Sequence, residues 1–233
     1  MITGTSLTDF KNLLPAYTSW LMITNDLITL EPKHIGQQGI WAIDGGANCC
    51  KTFGIRPDVI SGDFDSILDA SYWGIHWEKQ TPYTGQHQNI IVPTPDQQFT
   101  DTDKALSLIN QLAPSQITIL THTQHRPDHM IHHLELLKKH HLNSRKIILQ
   151  TTDSKITYIE DQSIWLDSYP KSYCSVIAAP KATVTSKGLK FEMTNHPLTL
   201  GQSSSISNEL IGHQALIEVK GSAWIISHLN HHA

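Results

Sequence analysis

The sequence predicts an α/β N-terminal domain with a mostly parallel, Rossmann-like sheet, followed by a C-terminal antiparallel β-sandwich domain. Three observations predict this fold class. Short apolar runs alternate with helical patterns in the first part, and β-branched segments separated by Gly, Pro, Asn and Ser fill the last part. The sequence changes from the first pattern to the second once, between Gln150 and Trp165. We therefore expect domains over residues 1–150 and 151–233.

The N-terminal domain is predicted from strands and helices in alternation. Apolar runs predict strands at Trp20–Ile23, Ile40–Ile43, Val59–Ile60 and Ile117–Leu120. Apolar residues with a period near 3.6 predict a helix that begins after an N-cap at Thr100 and reaches Leu112. A second helix is predicted with Pro127 in its first turn and with Lys138 and Lys139 at its end. Such alternation is typical of a parallel sheet covered on both faces, with ligands at the carboxyl ends of its strands.

The C-terminal domain is predicted from short strands. The strands are expected at Ser175–Ala178, Ala182–Ser186, Ala215–Val219 and Ala223–Ile226. Antiparallel edges are exposed in such a fold, and a second subunit would cover them.

The composition excludes several classes of protein. With 39% apolar residues, 16% charged residues and a net charge of −4 over 233 residues, the chain is typical of globular proteins, and a nucleic-acid binder with a large basic face is disfavoured. Neither a signal peptide nor a membrane span is readable, so we expect a cytoplasmic protein. Cys49, Cys50 and Cys174 form no disulfide framework or CxxC motif, and we expect buried thiols.

Two acidic motifs follow predicted strands. Asp44–Gly45–Gly46–Ala47–Asn48 places a carboxylate at the ligand edge and lets the backbone approach a phosphate; the alternative is a turn with an Asp cap. Gly62–Asp63–Phe64–Asp65–Ser66 presents two carboxylates that can converge on one Mg²⁺. Its alternative is an Asp-rich turn in which Ser66 caps a helix.

Two further motifs lie at helix starts. Asp101 and Lys104, in the segment from Pro95 to Ala105, share a helical face, so that a metal-binding carboxylate lies beside a phosphate-binding ammonium; helix capping is the alternative. Arg126–Pro127–Asp128–His129 offers a forked phosphate donor, unless the pair is only an exposed ion pair.

Histidines form a separate candidate. His129, His132 and His133 share a helical face and, with Asp128, have spacing that would suit Zn²⁺. The chain has 15 His, however, so chance clustering explains the pattern at least as well.

The motifs together resemble those of one known family. The four acidic and basic motifs, then Lys187–Gly188–Leu189–Lys190–Phe191 and Ser207–Asn208–Glu209, occur in the order found in thiamine pyrophosphokinases. The resemblance implies an α/β nucleotide-binding catalytic domain joined to a β-sandwich that binds thiamine and dimerises, with thiamine bound between the subunits. It also implies transfer of a pyrophosphoryl group from ATP to the thiamine hydroxyl.

The resemblance assigns roles to individual residues. The catalytic, Mg²⁺-binding carboxylates would be Asp44, Asp63, Asp65 and Asp101. The ATP phosphates would be bound by Lys104, Arg126, Asp128 and His129. Thiamine would contact Gln97, Phe191, Ser207 and Asn208, with the Phe191 ring stacked on the cationic ligand.

The chain departs from the family pattern at several positions. Gln98 replaces an Asp, Gln124–His125 replaces Gly-Gly, His133 replaces an Asn, and Asp26 replaces a Gly. These departures motivate an alternative, a catalytically weakened relative that binds thiamine and nucleotide. A metal-dependent phosphohydrolase that uses the same carboxylates is the other alternative.

Overall fold

The computed structural model describes residues 14, 16–24, 37–122, 126–202 and 204–229. The chain divides into two compact units, Met1–His125 and Arg126–Ala233. Asp26 and Gln124–His125, which depart from the family pattern, lie outside the described residues. No helix within the described ranges is long and apolar enough to cross a membrane.

The first unit alternates strands and helices. Its strands are β1 (Ser19–Thr24), β2 (Gly39–Ile43), β3 (Val59–Gly62), β4 (Tyr83–Thr84), β5 (Ile90–Pro93) and β6 (Gln116–Leu120). Its helices are α1 (Gly46–Thr52), α2 (Ala70–Trp73) and α3 (Asp101–Ile109), the last continued by a 3₁₀ turn at Asn110–Leu112. All four strands predicted for this part of the chain are confirmed.

The sheet of the first unit has the order β6-β1-β2-β3-β5-β4. Neighbours from β6 to β5 pair in parallel, and β4 pairs antiparallel with β5. In register, Ile43 of β2 lies beside Ser61 of β3, and Gly62 lies beside Pro93 of β5. The carboxyl ends of β2, β3 and β5 therefore meet at one edge of the sheet, where ligands bind in such sheets.

Helix α3 begins where the sequence predicts. The Thr100 hydroxyl accepts a hydrogen bond from the Asp103 backbone N–H at 3.3 Å, which confirms it as the N-cap of α3. Cys49 and Cys50, on α1, lie in the apolar core of this unit. They are buried free thiols, as is Cys174, which confirms the interpretation of the cysteines.

The second unit is rich in strands. It contains α4 (Pro127–Lys139), β7 (Lys146–Gln150), β8 (Ser154–Glu160), β9 (Ser163–Asp167), β10 (Tyr173–Lys187), β11 (His196–Thr199), β12 (Asn208–Glu209) and β13 (Gln214–His228). Within it the strand order is β11-β10-β13-β8-β7, with β12 on β10 and β9 on β13, and these pairings are antiparallel. Pro127 opens α4, and Lys138 and Lys139 end it, as predicted.

The four segments predicted as strands in this unit are confirmed as extended, but they form two long strands and not four short ones. Ser175–Ala178 and Ala182–Ser186 are parts of one strand, β10, and the two segments that flank Gly221 are parts of β13. The register shifts between Ala178 and Ala182, and Gly221 lies opposite Ala182 with φ of 85°. The irregularity in β10 and the positive-φ glycine in β13 lie side by side. Both strands therefore bend at the same place and continue beyond it.

Candidate active site

Asp44 lies immediately after β2 in an unusual backbone conformation. Its φ is 44°, and its backbone N–H donates to the Ser61 carbonyl at 2.8 Å. Only 8% of Asp44 is exposed, and its Oδ1 atom has no hydrogen-bond partner. The N-cap of α1 is Gly45, so the interpretation of Asp44 as a helix cap is wrong. A buried carboxylate oxygen without a protein partner is free to accept a hydrogen bond from water or to bind a cation.

Gly46 has a packing reason to be glycine. A Cβ atom at this position would lie 2.0 Å from the backbone oxygen of Ile23 in β1. Any side chain would therefore push the start of α1 away from the sheet, and Asp44 with it.

Asp63 and Asp65 lie on the loop that follows β3. Phe64 between them is buried with φ of 69°, which turns the chain sharply. The Asp65 backbone N–H donates to Asp63 Oδ1 at 3.3 Å, and the Ser66 hydroxyl donates to Asp65 Oδ1 at 2.9 Å. The N-cap of α2 is Asp69, so the capping interpretation of Ser66 is wrong.

The three carboxylates converge. Asp44, Asp63 and Asp65 each offer one oxygen, and these oxygens lie within 4.8 Å of one another. Mg²⁺ takes oxygen ligands, and carboxylates at this spacing repel one another without a cation. The unpartnered Asp44 Oδ1 fits the same requirement. The residues present therefore fit a divalent hard cation.

Electrostatics distinguish the members of this cluster. Burial and, to a smaller extent, the charges of Asp101 and Asp63 raise the pKa of Asp44. Hydrogen bonds from Ser66 and from the Gly45 backbone act to lower this pKa but do not outweigh the rise. Burial also acts to raise the pKa of Asp63, but hydrogen bonds from Gln97 and the Asp65 backbone and the charge of Lys104 outweigh it, so the pKa is lowered. The surroundings of Asp63 thus favour its ionised form.

Gln97 contacts the cluster directly. Its Nε2 donates to Asp63 Oδ2 at 2.7 Å. Gln98, which departs from the family pattern, is exposed, and its backbone N–H donates to Asp96 Oδ1 at 2.9 Å. Of these two neighbours, Gln97 is the one whose side chain reaches the carboxylates.

Asp101 and Lys104 form a pair in the first turn of α3. Lys104 Nζ lies 2.8 Å from Asp101 Oδ1 and donates to the carbonyls of Thr94 at 2.6 Å and Asp96 at 2.7 Å. An ammonium has three donors, so all of them are used within the protein. Lys104 thereby ties the loop after β5 to α3. The roles of Asp101 as a metal ligand and of Lys104 as a phosphate ligand stay predictions.

Arg126 and Asp128 pair at the start of α4. The Arg126 guanidinium donates twice from Nε, at 3.0 and 3.2 Å, and once from Nη2 at 2.8 Å to the Asp128 carboxylate, and both side chains are exposed. The hydrogen bond with Arg126 holds the pKa of Asp128 far below its usual range. This geometry would suit a guanidinium that Asp128 orients to bind an anionic ligand. It is equally the geometry of a simple exposed ion pair.

The histidines of α4 do not assemble a metal site in the described ranges. There the group of ligand-type side chains with metal-binding spacing is Asp44, Asp63 and Asp65. His129 and His133 face each other with ring centroids 6.3 Å apart, and His133 is buried with an unpartnered Nδ1. The zinc interpretation has no support here.

The residues predicted to bind thiamine in the second unit are centred on Phe191, which is 62% exposed. Asn208 holds its backbone: Oδ1 accepts from the Phe191 N–H at 3.0 Å, and Nδ2 donates to the Phe191 carbonyl at 2.7 Å. The Ser207 N–H donates to Ser175 Oγ at 3.0 Å. Asn208 therefore fixes the segment that presents the Phe191 ring to solvent.

Comparison with known proteins decides the family. The family model of the thiamin pyrophosphokinase catalytic domain matches residues 36–149, and that of the vitamin B1 binding domain matches residues 161–225. The chain belongs to the thiamine pyrophosphokinase family.

Relatives in this family include enzymes of plants and bacteria. The chain is 29% identical over 205 residues to thiamine pyrophosphokinase of Bacillus subtilis, with 86% of each chain covered. It is 28% identical over 193 residues to thiamine pyrophosphokinase 3 of Oryza sativa subsp. japonica, covering 76% of this chain and 68% of the relative. A crystal structure of Bacillus subtilis thiamine pyrophosphokinase has a TM-score of 0.76 at 23% identity, covering 91% of this chain and all (100%) of that one. At this identity the structural likeness shows the fold alone.

Two residues near the carboxylates were given no site role from sequence. Asn48 donates to the Ser66 carbonyl at 2.8 Å, and its Oδ1 accepts from the Leu68 N–H at 2.9 Å. Ser66 in turn contacts Asp65. The partners of Asn48 are backbone groups 18 and 20 residues away, so residue type and spacing carry no signal for its role.

Proposed function

We propose that this protein catalyses the reaction of its family, in which thiamine and ATP give thiamine diphosphate and AMP. The observation that carries the proposal is the convergence of Asp44, Asp63 and Asp65 within 4.8 Å beside Gln97. The predicted cation ligands therefore lie beside a residue predicted to contact thiamine, and this proximity supports the proposal.

The bond changes define what the residues must do. The thiamine hydroxyl oxygen forms a bond to the β-phosphorus of ATP, the bond between the β-phosphorus and the oxygen that links it to the α-phosphate breaks, and AMP leaves with that electron pair. The hydroxyl proton leaves to a carboxylate of the cluster or to water. Such a transfer needs alignment and neutralisation of charge rather than a protein nucleophile.

The carboxylates would hold Mg²⁺, with Asp101 as a further ligand. Bound Mg²⁺ supplies neutralisation of the phosphate charges. Asp63 suits this role because Gln97 and Lys104 keep its pKa low, so that it stays ionised near neutral pH. The hydrogen bond from Gln97 to Asp63 also holds the Gln97 amide beside the proposed cation site.

The remaining assignments are proposed on local geometry. The exposed fork of Arg126, oriented by Asp128 and followed by His129, suits ATP phosphates. The exposed Phe191 ring suits stacking on thiamine, next to Ser207 and Asn208. An exposed ring of this kind is consistent with a thiamine site completed by a second subunit in a homodimer.

The fold assignment is proposed at the level of two domains, 1–150 and 151–233. The parallel pairing from β6 to β5 supports a Rossmann-like first domain, and the antiparallel pairing of β8 to β13 supports a sandwich. A boundary after residue 150 is supported by the ranges of the two family models, 36–149 and 161–225.

Product analysis tests the function. The purified protein is incubated with ATP, Mg²⁺ and thiamine, and nucleotides and thiamine phosphates are separated by chromatography. We expect AMP and thiamine diphosphate in equal amounts, and neither product after chelation of Mg²⁺. Binding of both substrates without products would show the weakened relative instead, and release of inorganic phosphate without thiamine diphosphate would show a phosphohydrolase.

A further inference from the structure

We propose that Asn48 is a positioning residue that sets the spacing of the Asp44, Asp63 and Asp65 carboxylates. Asn48 lies in the first turn of α1, four residues after Asp44, and its side chain bridges to the loop that carries Asp63 and Asp65. The inference rests on the proposed function, because it assigns a further residue to the same cation site.

The bridge uses both ends of the amide. Nδ2 donates to the Ser66 carbonyl at 2.8 Å, and Oδ1 accepts from the Leu68 N–H at 2.9 Å. The backbone of Asn48 is itself fixed, since its N–H donates to the Gly45 carbonyl at 3.0 Å. Two hydrogen bonds to the backbone of one short segment define both its distance from α1 and its orientation.

The segment that Asn48 holds is coupled to the carboxylates. Its carbonyl partner, Ser66, donates from its hydroxyl to Asp65 Oδ1 at 2.9 Å. Movement of Ser66 away from α1 would therefore change the position of Asp65 relative to Asp44, which lies four residues before Asn48.

The loop needs such a restraint. Three carboxylates within 4.8 Å repel one another before a cation binds. Phe64 is held at φ of 69°, a conformation that costs free energy and persists only where neighbouring contacts enforce it. Asn48 supplies two contacts to the segment that follows Phe64, at Ser66 and Leu68, so the cation site is formed in advance of binding. This is the arrangement by which residues around metal ligands raise metal affinity.

The test measures the binding of Mn²⁺ alone, which is a magnetic probe for a Mg²⁺ site. Free Mn²⁺ is followed by electron paramagnetic resonance during titration of the wild type and Asn48→Ala, without nucleotide or thiamine. We expect the dissociation constant to rise about tenfold or more in Asn48→Ala, as for other residues that orient metal ligands. Thr52→Ala is the matched control, since Thr52 lies on the same helix and its hydroxyl donates to the Asn48 carbonyl at 2.9 Å.

Two readouts separate positioning from a general loss of folding. Hydrogen exchange should accelerate in the segment 63–68 of Asn48→Ala, including the Leu68 amide, while the β1 and β6 amides keep their protection. At saturating Mg²⁺ the KM for thiamine should remain within about twofold, whereas the KM for Mg²⁺ should rise with the Mn²⁺ dissociation constant.

The outcomes are distinct from those of the function itself. Equal Mn²⁺ affinity in Asn48→Ala and the wild type, with unchanged exchange in 63–68, would overturn the inference even if the protein makes thiamine diphosphate. Weakened Mn²⁺ binding in Asn48→Ala would support the inference even if no thiamine diphosphate forms, and the proposed function alone would then fail.

Discussion

Gln97 Nε2 donates a hydrogen bond to Asp63 Oδ2 at 2.7 Å. This contact joins a residue predicted to bind thiamine to one predicted to bind Mg²⁺. Because Gln97 follows β5 and Asp63 follows β3, adjacent parallel strands bring them to one sheet edge. The proposed substrate and cation sites therefore share a side-chain contact.

Gln97→Ala should shift the acidic side of the activity profile. The wild-type hydrogen bond favours the ionised form of Asp63, so its loss lets the pKa of Asp63 rise. The carboxylate then becomes protonated at a higher pH, and the acidic limb of kcat/KM should move to higher pH. Profiles of Gln97→Ala and Gln98→Ala provide the comparison, with no shift expected in the latter. An unmoved limb in Gln97→Ala would refute this role.

Asp63→Asn should abolish most of the activity without unfolding the protein. The substitution removes the charge and keeps the shape, and the loss of one electrostatic contact to a transition state typically costs about 10²- to 10³-fold in kcat. Glu78→Gln, which neutralises an exposed carboxylate of the same unit, should retain wild-type rates. Equal kcat in the two variants would exclude Asp63 from the reaction.

Lys104→Met distinguishes a structural lysine from a phosphate ligand. The side chains of Lys104 and Asp101 are only 12% and 25% exposed, so the variant removes the ammonium from a partly buried carboxylate, which still accepts from the Thr94 hydroxyl at 3.3 Å, and it removes one donor from each of the carbonyls of Thr94 and Asp96. We expect a loss of roughly 2–3 kcal/mol in unfolding free energy, measured with urea. Adding Asp101→Asn should restore part of the stability but not the activity. Unchanged stability with a raised KM for ATP would instead show that Lys104 binds phosphate.

His133 should make stability depend on pH. Burial, with smaller contributions from His129 and His132, lowers the pKa of His133 to about 4. In the unfolded chain the pKa of this histidine is near 6.5, so the unfolded state binds more protons than the folded state between pH 6.5 and 4. The contribution of His133 to the free energy of unfolding is therefore fully present above about pH 6.5, and the free energy falls by up to roughly 3 kcal/mol as the pH drops to 4.

The variant His133→Asn isolates this contribution. Urea unfolding at pH 7 and pH 5 should show a smaller loss of stability in His133→Asn than in the wild type, because the titrating group is gone. His141→Gln, which changes another histidine of the same unit, should keep the wild-type dependence. Identical losses in all three proteins would show that His133 does not carry the effect.

Phe191→Ala should weaken thiamine binding selectively. Phe191 is 62% exposed, so removal of its ring should leave the fold intact, and a lost cation–π contact of about 1–2 kcal/mol corresponds to roughly a 5- to 30-fold higher KM for thiamine. The KM for ATP should not change. Phe53→Ala, at another exposed phenylalanine, is the control. Equal thiamine KM values in both variants would place the ligand elsewhere.

The acidic motifs were predictable because parallel strands impose a common edge. Asp44 and Asp63 each follow an apolar run, and the sheet rule alone predicts that they meet. Asn48 was not predictable in the same way, since its partners are backbone groups of Ser66 and Leu68, which residue type does not reveal.

The strands were predictable where each is a simple apolar run and not where the chain bends. Gly221 looks like a strand end in sequence, yet it lies within β13, at a bend shared with β10. The use of all three Lys104 donors within the protein is also invisible in sequence, because two of its acceptors are carbonyls.

The central claim is tested most directly by the fate of the β-phosphorus of ATP. With ATP labelled at the β-phosphate, thiamine and Mg²⁺, the account predicts that the label appears in thiamine diphosphate and that unlabelled AMP forms in equal amount. Label in ADP together with thiamine monophosphate, or label in inorganic pyrophosphate or phosphate with thiamine unchanged, would contradict it.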